Sequence, residues 1–215
     1  MHHSLSRVEF HALLQADFRT DVLDIREQYP AASQSEVETI AQALGVDVPR
    51  YKDGLGLTTD LLLTVRSGRR VTYEAVYCKY SSSLLDRRAN ELLAIEREVW
   101  SRRGVLLREF TETSLTAGEI SNLLWLHPFR RIDSVASRNP AQRSEMVDAL
   151  WDLLSRNADR RISQVCAHVD TTWSLAPGSA LAVVRWAIAQ HQWTANLRVA
   201  YSPGTRIGEF LCQIS

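Results

Sequence analysis

Two runs with strand character, Thr58-Thr-Asp-Leu-Leu-Leu-Thr-Val65 and Val71-Thr-Tyr-Glu-Ala-Val-Tyr-Cys-Lys79, stand on either side of the turn Arg66-Ser-Gly-Arg69. Alternating β-branched, aromatic and polar residues around a glycine-bearing turn predict an antiparallel hairpin. A lone hairpin is marginal in water, so the flanking segments must add strands and cover its faces with helices. Strict period two puts Asp60 with Leu62 and Thr64 on one face, and Lys79 with Tyr73, Ala75 and Tyr77.

The flanking sequence meets that requirement. Residues 4 to 17 carry Leu5, Val8, Ala12, Leu13 and Ala16 at helical spacing, with Glu9 on the same stripe. Asp21 to Gln28 alternates as a short strand ending at Tyr29-Pro30. A second helix is expected over Ser35 to Leu44, with Ser35 and Glu38 spaced as a capping box. Residues 86 to 103 predict a long helix with Leu92, Ile95, Val99 and Trp100 as its apolar side, Glu96 on that side too, and Gly104 as its stop. Val105 to Thr111 reads as a last strand. Helix, strand, hairpin, helix, strand is a mixed α/β order, and we assign residues 1 to 113 to this domain.

From Ser114 the character changes. Five of the six tryptophans lie beyond it, at 125, 151, 173, 186 and 193, where core packing is their commoner use than base stacking. Helices are expected at 116 to 126, 141 to 155, 160 to 170 and 178 to 191, then a small hairpin from Asn196-Leu-Arg-Val-Ala-Tyr201 and Ile207 to Ile214. Helices followed by a hairpin is the order of a winged helix, assigned to residues 114 to 215.

Twenty-five basic residues balance twenty-five acidic ones, so no global positive field draws the chain onto nucleic acid. Only Lys52 and Lys79 are lysines; the other basic residues are arginines. Arg130-Arg131, Arg160-Arg161 and Arg185 could meet phosphates or simply be solvated. Cys78, Cys166 and Cys212 have neither disulfide nor zinc spacing, and a reducing cytoplasm is expected. His2, His3 and His11 lack a fixed ligand partner and are expected to be solvated. No signal peptide or apolar run of membrane-spanning length occurs, so no membrane is expected.

Four charged residues stand where patterning favours apolar or indifferent ones. Glu9 and Glu96 interrupt helix stripes, while Asp60 and Lys79 lie within strands, where Asp and Lys are depleted. Gathered together, the carboxylates could hold Mg²⁺, with Lys79 beside a phosphate or its attacking water. Each also has a plainer reading. Asp60 could punctuate the hairpin, Lys79 could protect an edge strand, and Glu96 could pair with Arg88 or Arg103 on the helix surface.

The segments Ser6-Arg-Val-Glu9, Asp21 to Pro30, Thr58-Thr-Asp-Leu-Leu62, Cys78-Lys-Tyr-Ser81 and Glu91 to Trp100 resemble the TnsA family of transposon endonucleases. The resemblance covers most of the chain. It implies a restriction-endonuclease-like mixed sheet flanked by helices, followed by a mainly helical winged-helix domain. It also implies catalytic positions at Glu9, Asp60 and Lys79. Mg²⁺, with Mn²⁺ as a substitute, would be held by Glu9, Asp60, Glu96 and the main-chain carbonyl of Cys78. The implied activity is cleavage of the 5′ ends of a transposon during cut-and-paste transposition. The implied partners are transposon-end DNA, a transposase subunit and an AAA+ ATPase regulator. One position departs from the pattern: Tyr77 stands two residues before the lysine, where such nucleases place a Glu or Gln ligand. Glu96 or Glu74 could compensate, and strand parity favours Glu96.

Overall fold

The computed structural model of the chain describes residues 6–51, 56–130 and 140–212, apart from the side chains of 140–143. Expectations for His2, His3, Leu5, Lys52, Arg131 and the last three residues fall outside these. The chain divides into two compact units, 1–115 and 116–215.

The first unit runs α1 (Arg7–Phe18), β1 (Val22–Ala32), α2 (Gln34–Leu44), β2 (Leu57–Ser67), β3 (Arg70–Cys78), α3 (Arg87–Arg102) and β4 (Leu106–Phe110). Its four strands lie in the order β1-β2-β3-β4. β1 and β3 are antiparallel to β2, and β4 is parallel to β3. This is a mixed sheet flanked by helices. Gly68, at φ +60°, sits in the β2–β3 turn between the paired Ser67 and Arg70, a conformation that costs glycine nothing.

The two sheet faces are covered differently. On one, Leu57, Leu62 and Ala75 pack with Val37, Ile40 and Ala41 of α2 and Ile95, Val99 and Trp100 of α3. On the other, α1 lies against β1, β2 and β3. Glu74, directly opposite Leu63, meets Arg19 at 3.0 Å and Arg108 at 2.8 Å. Both arginines claim this carboxylate, so Glu74 is engaged in ion pairs.

Several boundaries differ from expectation. β1 continues through Pro30, which pairs with Thr58 before a register shift; as an edge strand, β1 tolerates the missing N–H. Ser33, not Ser35, caps α2, its hydroxyl accepting from the Glu36 N–H. His11 is buried rather than solvated, and burial, with Arg7 nearby, lowers its pKa. β3 is an inner strand, so Lys79, which follows its last residue, guards no sheet edge.

The second unit comprises α4 (Ala117–Leu126), α5 (Pro140–Ser155), α6 (Ile162–Thr172), α7 (Ser179–Ala189), β5 (Thr194–Ala195), α8 (Ile207–Phe210) and β6 (Leu211–Cys212). The expected hairpin is largely replaced. β5 and β6 pair over two residues each, and residues 196–201 form no strand. The buried Asn122 explains this, because its amide donates to the carbonyls of Leu197 and Val199 at 2.7 and 2.8 Å and accepts from the Tyr201 N–H at 2.9 Å. Those bonds use backbone groups a strand ladder would need. Trp125 stacks on Tyr201 at 4.1 Å and Trp151 packs with Trp193 at 5.1 Å, so these tryptophans serve packing. Arg185 does likewise: its Nε donates to the Trp125 carbonyl at 3.1 Å, and its guanidinium lies 4.0 Å from the Phe129 ring centroid.

Candidate active site

Asp60 sits where β2 and β3 part. Their last paired residues on this side are Leu61 and Val76. Beyond that point β3 pairs only with β4, through Tyr77 opposite Glu109 and Cys78 opposite Phe110. The Asp60 carboxylate fills the gap, with Oδ2 accepting the Cys78 N–H at 2.7 Å. A side chain thus replaces a ladder bond and fixes the acid in place.

The alternation of β2 also slips here. Leu57 and Leu62 both belong to the core against α2 and α3, and Thr59 bonds to residues of α3. Residues an odd number apart therefore share a face, contrary to the strict period two expected. The partner strand is distorted opposite the slip: Gln28 has φ +48°, and its Nε2 donates to Asp60 Oδ1 at 3.4 Å.

Glu96 reaches the same region from α3. It is 3% exposed, and its Oε1 accepts the Thr59 hydroxyl at 2.7 Å, while Thr59 Oγ1 accepts from Trp100 Nε1 at 2.8 Å. The two surface arginines considered for it are taken elsewhere, Arg88 by Glu91 and Arg103 by Glu36. Glu96 is therefore an inward-facing acid. Burial, reinforced by the Asp60 charge, pushes its pKa from near 4.5 up to about 7. Asp60 is raised as well, first by burial and then by the charge of Glu9, with the Cys78 bond and Lys79 acting the other way.

Glu9 comes from the first turn of α1, where a capping box holds it: Ser6 Oγ donates to Glu9 Oε1 at 2.8 Å and accepts from the Glu9 N–H at 3.2 Å. Lys79 is exposed, its Nζ 5.8 Å from the Tyr77 ring centroid. Tyr77 is buried, and its phenol is pushed up to about 12 by burial and by the charges of Glu96 and Asp60. Cys78 is buried too, and the same burial raises its thiol.

Glu9, Asp60, Lys79 and Glu96 thus lie within electrostatic reach of one centre. Among the described residues no three His, Cys, Asp or Glu side chains form a ready metal cluster, and Glu9 is engaged by Ser6. The donor chemistry nevertheless fits a hard dication. Asp60 and Glu96 are desolvated carboxylates, Asp60 raised further by the charge of Glu9 and Glu96 by that of Asp60, and a bound cation would relieve that repulsion. Thr59 and Gln28 had no signal in the residue pattern, and Trp100 was marked only as part of the apolar side of α3; their bonds to Asp60, Glu96 and one another bring them in.

Two family models and a curated relative match this chain. A family model described as "TnsA-like endonuclease N terminal" matches residues 19–112, and one described as "TnsA endonuclease C terminal" matches residues 119–197. The transposon Tn7 transposition protein TnsA of Escherichia coli is 29% identical over 187 residues, which are 86% of this chain and 66% of that protein. Two consecutive matches take in both units, in the order of the family's own halves, and the chain belongs to the TnsA endonuclease family.

Proposed function

We propose that the chain is a Mg²⁺-dependent DNA endonuclease that cleaves the 5′ ends of a transposon during cut-and-paste transposition. It would act in the bacterial cytoplasm, in a complex with a transposase subunit and an AAA+ ATPase regulator. The observation that carries this reading is the Asp60 carboxylate, held by the Cys78 N–H where β2 and β3 part, with Glu9 and Lys79 within electrostatic reach of it and its own charge felt by Glu96. Glu9, Asp60, Glu96 and the Cys78 carbonyl would hold the metal. When bound, Mg²⁺ (or Mn²⁺) polarises the scissile phosphate and lowers the pKa of an attacking water.

The chain's own residues supply the rest. The Cys78 N–H fixes one Asp60 oxygen, and Thr59 holds Glu96 behind it. Glu9 would join on leaving Ser6. Lys79, exposed beside the Tyr77 ring, offers a positive charge to the phosphate or to the developing oxyanion. The first unit would be restriction-endonuclease-like. The second, winged-helix-like despite its short β5–β6 pairing, would contact DNA and the regulator. Among the described residues no helix is long and apolar enough to cross a membrane. Near charge balance suits an enzyme brought to DNA by its partners.

One observation favours a second reading, a catalytically silent scaffold: the buried Tyr77 phenol is a poor metal ligand. Strand-resolved cleavage of a transposon-end duplex by the assembled complex separates the two. We expect 5′-strand cleavage with Mg²⁺ and none with EDTA; equal products in both, or none in either, would reject the endonuclease reading.

A further inference from the structure

Gln28 is one of three described non-glycine residues with positive φ, and of these it alone lies inside a strand. Its +48° is costly for a residue with a Cβ, and such strain persists where the surroundings impose it. The side chain gives a reason. Its Oε1 accepts from the Thr58 hydroxyl at 3.4 Å, and its Nε2 donates to Asp60 Oδ1 at 3.4 Å. The strained backbone therefore delivers an amide to the one Asp60 oxygen that the Cys78 N–H does not hold.

We propose that Gln28 is a further metal ligand of the Asp60 centre, its amide turning so that Oε1 stands beside Asp60 Oδ1. The inference rests on the metal-dependent reading above. Thr58 makes the turn cheap, because its hydroxyl donates to Oε1 in one orientation and accepts from Nε2 in the other. The 3.4 Å between the two side chains is close to the separation of about 3 Å expected for adjacent oxygens on an octahedral ion with 2.1 Å bonds.

Mn²⁺ titration of the full chain without DNA, read from the electron paramagnetic resonance of free Mn²⁺ at pH 8, tests this apart from cleavage. Gln28→Asn keeps a residue tolerant of positive φ but shortens the reach. It should melt like the wild type while binding Mn²⁺ on the order of tenfold more weakly. Gln28→Glu should bind at least as tightly as the wild type. A residue that only donates to Asp60 holds no place on the ion, so for it Gln28→Asn would bind Mn²⁺ as the wild type does. Weakened binding in Gln28→Glu, or wild-type binding in Gln28→Asn, would overturn the proposal. An Asp60→Asn control separates the two levels: if it loses Mn²⁺ while Gln28→Asn does not, only the Gln28 role fails, and if it binds like the wild type the metal reading fails too.

Discussion

Asp60→Asn is expected to leave the fold intact and to lower Mg²⁺-dependent strand cleavage by at least about a thousandfold. The asparagine oxygen can still accept the Cys78 N–H that Asp60 takes at 2.7 Å, so no buried donor is orphaned. On the Gln28 side the amide can turn to offer its oxygen, with Thr58 following. What disappears is the negative charge. Because Asp60 is raised by burial and by Glu9, the uncharged replacement relieves a cost and should melt at or above the wild-type temperature. Asp60→Ala would confuse the two effects by leaving the Cys78 N–H unpaired. The paired measurement is thermal unfolding alongside cleavage; a folded Asp60→Asn protein cleaving at the wild-type rate would remove Asp60 from the chemistry.

The second large effect concerns stability and pH in the metal-free chain. Glu96 unfolded would release its proton near pH 4.5, but folded it holds the proton to about 7. Below pH 4.5 both states are protonated and burial of the acid costs nothing. As pH rises from 4.5 through 7 the folded state binds the extra proton, so stability falls, by about 3 kcal/mol once pH exceeds 7. Asp60, also raised, adds a loss of the same sign. Glu96→Gln keeps an oxygen for the Thr59 hydroxyl and removes this titration. Urea unfolding in EDTA should therefore give equal stabilities at pH 4 and a variant more stable by about 3 kcal/mol at pH 8. A variant that is less stable than the wild type at pH 8 would mean that the Glu96 charge is stabilised by contacts other than Thr59.

Much of the fold was legible because it follows local rules. α3 occupies the stretch its apolar spacing marked out, ending before Gly104, and the β2–β3 hairpin turns at Gly68. The cap of α1 was also readable, as Ser6-Arg-Val-Glu9 is a capping-box sequence, although Glu9 drew notice as an acid on an apolar stripe and through the family resemblance rather than as a cap. Pattern reasoning failed where a distant partner overrides the local preference. The slip in β2 depends on Thr59 finding Glu96 and Trp100 some forty residues away. Asn122 holds residues 197–201 out of the expected strand from more than seventy residues away. Parity correctly set Glu74 apart from the Lys79 face, but the arginines that occupy it lie on α1 and β4. Gln28 carries no sequence signal, because its importance lies in a backbone angle and in what stands opposite it.

The centre at Asp60 is open to direct observation. Crystals of the chain soaked in MnCl₂ and measured at the manganese absorption edge should give an anomalous peak within about 2.5 Å of Asp60 Oδ1, with Glu9 turned away from Ser6 toward it. A saturating soak that leaves the Asp60 gap without a peak, with Glu9 still on Ser6, would contradict the metal-dependent nuclease account.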